Sequence, residues 1–189
     1  MNFLLCTFTF LKQQKRESSL AISDATAQDV LKNLSSSLPA KRKAVIKAAC
    51  SLVGKVNYFW GGKSSAIGWD SNWGKMTLVT ADGSRSTGSM RPFGLDCSGF
   101  VTWSFINSGF STSQIGHGTK GQIAKCTRIS WNSAQPGDLA FLSDLSHVGI
   151  VAGRDASGNI LVIHCSSGAN NVVITTNSIF GFAARPNCY

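Results

Sequence analysis

The sequence contains no Cys-X-X-Cys pair, no zinc-finger spacing and no arginine-rich helical pattern. Cysteine-based zinc sites and the common DNA-reading motifs need those patterns, so we expect neither a structural metal nor a nucleic-acid partner. No internal repeat or low-complexity linker is visible, which excludes a solenoid and a chain of loosely joined modules. Charged residues make up only 14% of the chain.

The composition is that of a folded domain rich in turns. The chain has 189 residues, of which 43% are hydrophobic, enough to bury a core in one domain or at most two. Glycine is abundant, with 19 residues, and Ser, Thr and Asn lie between the apolar runs. This distribution predicts an α+β fold with many turns.

Positive charge exceeds negative charge, chiefly near the N-terminus. The net charge is +9, and residues 1–55 hold nine Lys/Arg against three acids. A basic surface suits nucleic acid, an anionic membrane surface or an anionic cell-wall polymer. With nucleic acid disfavoured above, an anionic wall polymer stays among the expected partners.

The opening run MNFLLCTFTFLKQQKR does not have the order of a secretory signal. Its basic residues Lys12, Lys15 and Arg16 follow the apolar run, which is also too short to span a bilayer. Two interpretations remain open: a strand or membrane-proximal remnant of a longer, membrane-anchored or exported parent, and a start-site artefact.

Two amphipathic patterns predict helices before the central cysteine. Residues 24–38 predict a helix capped by Asp24 or Thr26, and Pro39 separates it from a stronger pattern that ends at Gly54. We therefore divide the chain into an N-terminal helical arm or parent remnant, residues 1–39, and a catalytic domain, residues 40–189.

Downstream, the apolar pattern changes to short β-branched runs. The four segments GDLAFLS, HVGIVAG, NILVIHC and NVVITT predict neighbouring antiparallel strands, with RDASGN as the turn between the second and third. Residues 63–93 form an insertion with a predicted hairpin, and Trp60, Trp69 and Trp73 either line a cleft or pack a lid onto the core.

Cys97 is the candidate nucleophile. Residues 100–105 continue a helical pattern after it, so the cysteine lies in the first turn, where backbone N–H groups and the helix dipole stabilise a thiolate. The same N–H groups can hold the oxyanion of a tetrahedral intermediate. The other five cysteines are an odd number, so they cannot all form disulfides with one another. Cys50 is predicted to fill the core. Cys165 is the rival nucleophile, but its predicted strand offers no helix dipole to stabilise a thiolate.

Two of the three histidines are placed to act with Cys97. His147 begins one predicted strand and His164 ends the next, so pairing of these strands puts both imidazoles on one face. His147 would then be the base, and His164 would orient it. Gly149 is expected to leave space for the substrate or for the cysteine, and His117 is predicted to be a loop residue.

The chain resembles the NlpC-type cell-wall peptidases, which are papain-like cysteine enzymes. The resemblance spans roughly residues 45–185 and is carried, in family order, by YFWGG (58–62), GLDCSGFV (94–101), PGDLAF (136–141), HVGIVAG (147–153) and IHC (163–165). It implies a papain-like α+β fold in which the cysteine-bearing helix packs on an antiparallel sheet of about five strands.

The resemblance also implies a function. The triad would be Cys97, His147 and His164, without metal or organic cofactor, and the substrate would be peptidoglycan stem peptides or muropeptides outside the cell membrane. Cleavage is expected between γ-D-glutamate and the diamino acid. Tyr58, Asp96 and Ser98 match pocket positions, with Trp60 beside them. Asp96 could pair with a substrate amine and Ser98 with the peptide, or both could simply cap the helix.

Two other functions stay open. One is a non-catalytic wall-binding module that keeps the fold, and the other is an amidase or acyltransferase on the same scaffold. The chain departs from the family pattern in one respect, because more than thirty residues separate WGG from DCSG. This insertion puts the shape of the cleft, and hence the peptide accepted, in question.

Overall fold

The computed structural model describes residues 26–189, so the predictions made for residues 1–25, Cys6 and Asp24 included, lie outside the described residues. Five α-helices are described: α1 (Ala27–Lys32), α2 (Ala40–Ser51), α3 (Cys97–Ile106), α4 (Thr112–Ile115) and α5 (Gly118–Ile123). None of these has the length and hydropathy of a membrane span.

The strands form two sheets in the described part of the chain. A hairpin pairs β1 (Met76–Leu78) with β2 (Met90–Pro92). The main sheet contains β3 (Cys126–Ile129), β4 (Leu139–Phe141), β5 (Val148–Arg154), β6 (Ile160–Ser166), β7 (Asn171–Thr176) and β8 (Phe182–Pro186). Its order is β3-β8-β4-β5-β6-β7, and every neighbouring pair is antiparallel. The α+β fold and the four predicted neighbouring strands are confirmed, and β3 and β8 extend the sheet to six strands.

Helix α3 is the centre of the fold. Residues 97–105 are all buried, and the helix packs on α2, β5 and β6. Asp96 begins it in an extended conformation, and its carboxylate accepts the N–H of Gly99 at 2.6 Å. A helix with apolar residues on every side is stable only inside a protein, which explains why this one lies between a helix and the sheet.

The first predicted helix is shorter than expected. Helix α1 ends at Lys32 instead of near residue 38, although Thr26 and Asp29 form the capping box that starts it. The serine-rich stretch 35–37 makes hydrogen bonds between its own side chains and backbone, which compete with helix formation. Val30 is buried in the same core as α2 and α3.

The insertion covers the end of α3 with aromatic rings. Trp73 is buried and its ring centroid lies 5.5 Å from that of Trp103 in α3. Trp69 is 57% exposed and packs edge-on against Trp73 at 4.8 Å. Both therefore belong to a lid packed on the core, whereas Trp60 lines a cavity described below.

A buried carboxylate ties α2 to two neighbouring strands of the main sheet, β4 and β8. Asp138, in the PGD turn before β4, has ion pairs of 2.9 Å with Arg42 of α2 and with Arg185 of β8. Arg42 is itself buried, and its guanidinium lies 3.9 Å from the centroid of the Tyr189 ring. The aspartate therefore neutralises a cation that has little access to water.

Replacing Asp138 with asparagine should lower the free energy of unfolding by about 3 to 5 kcal/mol, because it leaves Arg42 as a buried charge without a counter-ion. Urea unfolding followed by tryptophan fluorescence measures this loss. Asp82→Asn is the matched control, since Asp82 is exposed, and should change stability by less than about 0.5 kcal/mol. Equal unfolding midpoints for Asp138→Asn and the unchanged protein would contradict the assignment.

Candidate active site

The backbone around Cys97 is held by the segment 57–62. Phe59 N–H donates to the Leu95 carbonyl, Leu95 N–H donates to the Asn57 carbonyl, and Asp96 N–H donates to the Gly62 carbonyl, at 3.0 to 3.1 Å. These bonds place the YFWGG and GLDC motifs side by side. They also hold the start of α3 against the loop that follows Gly62.

The sulfur of Cys97 lies at the start of β5. Hydrogen bonds from the backbone of Val148 and of Ser98 act on the thiol, and both lower its pKa. Val148 directly follows His147 in the chain, so the backbone that contacts the sulfur continues directly from the histidine. That Cys97 and His147 act together stays a prediction.

The protonation state of Cys97 differs from expectation. The side chain is buried, and this burial, together with the negative charge of Asp96, raises the pKa of the thiol to about 12, despite the backbone hydrogen bonds and the nearby Lys63. The sequence pattern predicted a lowered pKa from the helix dipole. Burial and the charge of Asp96 therefore favour the neutral thiol of Cys97 over the thiolate.

The two histidines meet as predicted. His147 Nε2 lies 2.8 Å from His164 Nδ1, and both side chains are buried. Phe180 packs on both rings, with centroids 5.9 Å from His147 and 5.5 Å from His164. Burial and the adjacent His147 push the pKa of His164 well below its usual value, so His164 is neutral.

Thr175 fixes the direction of the hydrogen bonds between the histidines. Its hydroxyl donates to the Thr176 carbonyl at 3.0 Å, and the Thr175 oxygen lies 3.2 Å from His164 Nε2. The oxygen therefore accepts the Nε2 proton of His164, whose Nδ1 must then accept the Nε2 proton of His147. Nε2 of His147 is therefore engaged with His164, and the proton exchange with Cys97 that is proposed below would use the other ring nitrogen, Nδ1.

Gly149 has a different role from the one expected. A Cβ atom there would lie 2.9 Å from the Cβ of His164 and 2.5 Å from a methyl carbon of Val162. The missing side chain thus makes room for His164 on the neighbouring strand, rather than for substrate or for Cys97. Gly99 similarly admits the Gly62 carbonyl, which a Cβ at residue 99 would strike.

Asp96 and Ser98 lie together at the start of α3, but a lysine already binds both. Lys63 Nζ is 2.6 and 2.5 Å from the two carboxylate oxygens of Asp96 and 2.8 Å from the Ser98 hydroxyl. Ser98 donates to Asp96 at 2.8 Å, and Asp96 caps the helix. The capping role proposed as the alternative for Asp96 is therefore present in the structure.

Tyr58 and Trp60 lie at a cavity of about 350 Å³ between the insertion and the loop after β6. Arg85 and Arg91 of the insertion and Ser167, three residues after His164, also line this cavity. Trp60 donates its indole N–H to the Asp82 carbonyl at 2.9 Å, which holds the insertion over the YFWGG segment.

Other cysteines and histidines lie outside this arrangement. Cys165 is buried and its thiol donates to the Leu95 carbonyl at 3.2 Å, and the buried Cys50 has its pKa raised to about 12 by burial. Cys126 and Cys188 are free thiols as well. His117 lies immediately before α5. Within residues 26–189, no group of three or more His, Cys, Asp or Glu side chains is arranged to hold a metal ion.

Three residues of the site were not predicted from the sequence: Lys63, Thr175 and Phe180. A hydroxyl residue within the apolar run NVVITT was the available signal for Thr175, because a buried threonine on a strand needs a polar partner. Lys63 stands directly after a conspicuous Gly-Gly pair, but its partner is thirty-three positions away. Nothing in the sequence pattern pointed to Phe180.

Solved structures with the same fold support the architecture. The peptidoglycan hydrolase RipB of Mycobacterium tuberculosis superposes with a TM-score of 0.55 and 22% identity over 96% of this chain and 83% of that one. RipD of the same organism, a non-catalytic NlpC/p60 domain protein adapted to peptidoglycan binding, gives a TM-score of 0.55 and 16% identity over 78% of this chain and 97% of that one. At these identities the likeness establishes the fold alone.

Curated relatives share part of the sequence. Probable endopeptidase p60 of Listeria innocua is 46% identical over 72 residues, 36% of this chain and 15% of that protein. Probable endopeptidase Rv2190c of Mycobacterium tuberculosis is 32% identical over 131 residues, 67% of this chain and 24% of that protein. The match therefore spans less than a quarter of either relative.

The match to a known family is broader than either of these relatives. Residues 54–180 match the NlpC/P60 family as a whole, and this range includes the paired motifs around Cys97, both histidines and the insertion. It covers well over half of the chain. The protein therefore belongs to the NlpC/P60 family.

Proposed function

We propose that this protein is a cysteine endopeptidase that hydrolyses peptidoglycan stem peptides at the bond between γ-D-glutamate and the diamino acid. The observation that carries the proposal is the directed hydrogen-bond chain from Thr175 through His164 to His147, beside a thiol at the start of a helix. A buried imidazole held in one tautomer next to a thiol is the arrangement needed for nucleophilic acyl transfer. Family membership and the relatives' names support the same function.

The proposed reaction begins from the thiol. His147 Nδ1 takes the proton as the sulfur of Cys97 attacks the amide carbon, and the N–H groups in the first turn of α3 hold the oxyanion. The imidazolium of His147 then protonates the leaving amine, the carbon–nitrogen bond breaks and a thioester remains. Water, deprotonated by His147, attacks the thioester, and the thiol of Cys97 is regenerated.

The raised pKa of Cys97 gives the histidine a specific task. A thiol that is neutral at rest must lose its proton during attack, so His147 has to be neutral and correctly oriented before the substrate reacts. His164 supplies that orientation by accepting the Nε2 proton, and its own lowered pKa keeps it from becoming a second cation beside His147. The chemistry as proposed uses protein groups and water only.

The cavity beside the site suits an anionic peptide. A γ-linked D-glutamyl residue keeps a free α-carboxylate, and Arg85 and Arg91 line the same cavity as Tyr58 and Trp60. Guanidinium groups pair with carboxylates through directed, charge-assisted hydrogen bonds. The insertion would thus supply cations that hold the peptide's carboxylate while Tyr58 and Trp60 pack against its apolar parts.

The partners and location follow from this substrate. Peptidoglycan or its muropeptides would be met at the cell wall, outside the membrane, and a membrane-anchored or exported parent protein would bring the domain there. The net charge of +9 favours association with anionic wall polymers as well. Wall binding by charge would keep the enzyme close to its polymeric substrate.

Mass spectrometry of products from defined muropeptides tests the proposal. An endopeptidase adds one water per bond cleaved and leaves an L-Ala-D-Glu dipeptide on the sugar. An amidase would instead release the whole stem peptide, and a transferase would give products without the added water. Detection of either of these other product sets would contradict the proposed bond.

A non-catalytic wall-binding module is the second candidate, because RipD has the same fold and is described as non-catalytic. The shared fold is compatible with such a role, but this chain also holds a thiol and two hydrogen-bonded imidazoles. Pull-down with purified peptidoglycan, run beside the digestion, separates the two functions. Retention on peptidoglycan without any released product would favour the binding module.

A further inference from the structure

Lys63 forms a closed cluster with two residues at the start of α3. Its ammonium group contacts both oxygens of Asp96 and the hydroxyl of Ser98, all within 2.8 Å. The Asp96 carboxylate is only 12% exposed, whereas the Lys63 side chain is 38% exposed. The lysine thus reaches from the surface into a small acidic pocket next to Cys97.

The backbone fixes Lys63 in this place. The carbonyl of Gly62 accepts the Asp96 N–H at 3.1 Å and lies against Gly99, where a side chain would strike it. The residue after Gly62 therefore emerges directly beside the first turn of α3. Lys63 belongs to the site through the fold, and not only through the reach of a flexible side chain.

A carboxylate next to a hydroxyl is a binding site for an ammonium group, and here its occupant is the chain's own lysine. Asp96 Oδ1 also accepts bonds from Gly99 N–H and the Ser98 hydroxyl, whereas Lys63 is the partner of Oδ2. A second ammonium would have to approach oxygens that Lys63 already contacts, and it would face the positive charge of Lys63 within a few ångströms. A peptide with a free amino group gains nothing from this pocket.

We infer, on the basis of the proposed function, that Lys63 determines specificity: it fills the position that a substrate's terminal ammonium would occupy, so that cleavage does not require a free amino terminus. Stem peptides whose first amino group is acylated are then substrates, including peptides still joined to the glycan through an amide bond. The enzyme would need no earlier reaction that releases the peptide from the sugar.

Paired peptides with the same sequence test this inference. One is L-Ala-γ-D-Glu-diamino acid with a free amino terminus, and the other carries an N-acetyl group. The unchanged protein should cleave the two with kcat/KM values within about threefold of each other. In Lys63→Met the freed carboxylate can bind the substrate's ammonium, and the free peptide should be preferred by about tenfold or more.

Two further variants make the result specific. Lys63→Met combined with Asp96→Asn removes the anion but keeps a good helix cap, so the preference for the free peptide should disappear. Lys75→Met is the matched control, because Lys75 is an exposed lysine of the same insertion whose ammonium group donates to the Asn72 side chain at 3.0 Å. It should leave the ratio of the two peptides unchanged.

The outcomes separate this inference from the proposed function. Strong preference of the unchanged protein for the free amine would show that Lys63 moves away, and an unaltered ratio in Lys63→Met would show that the pocket is not used; either result overturns the inference while leaving the peptidase in place. Failure of the unchanged protein to cleave both peptides and intact muropeptides alike would instead count against the proposed function.

Discussion

Replacing Cys97 with alanine should abolish muropeptide cleavage, lowering kcat/KM by about 10⁴-fold or more. The proposed reaction passes through a thioester on Cys97, the thiol that is hydrogen-bonded to the backbone of Val148 and of Ser98. The fold should persist, because alanine fits the first turn of a buried helix and Asp96 still caps it. Product release measured by liquid chromatography and mass spectrometry gives the loss, and circular dichroism checks the fold.

Cys165→Ala is the matched control for this variant. Cys165 is also a buried cysteine outside any disulfide, but it alternates away from His164 on β6 and donates to the Leu95 carbonyl. Its loss should leave kcat/KM within about tenfold of the original value, with a stability cost of about 1 kcal/mol for one lost hydrogen bond. If Cys97→Ala stays active while Cys165→Ala does not, the two thiols have been assigned in the wrong order.

Elements with strong local patterns were predictable from the sequence. The apolar periodicity of residues 45–53, the four β-branched runs and the RDASGN turn are local signals, and α2 and strands β4 to β7 form where those signals lie. Strands β3 and β8 were missed because β3 has no buried residue to mark it, because β8 (FAARP) contains no β-branched residue, and because their pairing joins segments about sixty residues apart. Helix α1 was predicted too long, since serine side chains compete with the helix for its hydrogen bonds.

Properties that depend on burial and distant contacts were not predictable from the sequence. The approach of the two histidines is an exception, because strand alternation alone predicted it. The direction of the Cys97 pKa shift did not, because the sequence shows the helix dipole but not how completely the thiol is removed from water. The contacts of Lys63 and Thr175 were not predicted for a related reason. Lys63 reaches Asp96 only once the loop 57–62 has packed against the site, and Thr175 reaches His164 only once strand β7 has done so.

Replacing His147 with glutamine should lower kcat by about 10³- to 10⁴-fold, because the buried thiol then has no group that accepts its proton. The raised pKa of Cys97 makes this dependence severe: the sulfur cannot ionise appreciably near neutral pH without a base. KM should change little, since His147 is 1% exposed and does not line the cavity assigned to the peptide. Steady-state kinetics with a soluble muropeptide separates kcat from KM.

Thr175→Val tests the tautomer argument behind that prediction. Valine keeps the shape of threonine but removes the oxygen that accepts the Nε2 proton of His164, so His164 can carry its proton on Nδ1 and face the Nε2 proton of His147. We expect kcat to fall about tenfold or more with KM unchanged, and Thr175→Ser to restore most of the activity. Thr176→Val is the control, because the carbonyl of that residue, and not its side chain, receives the Thr175 hydroxyl. Equal kcat values for Thr175→Val and Thr176→Val would mean that His147 is oriented without Thr175. The hydrogen-bond chain that orients His147 would then end at His164.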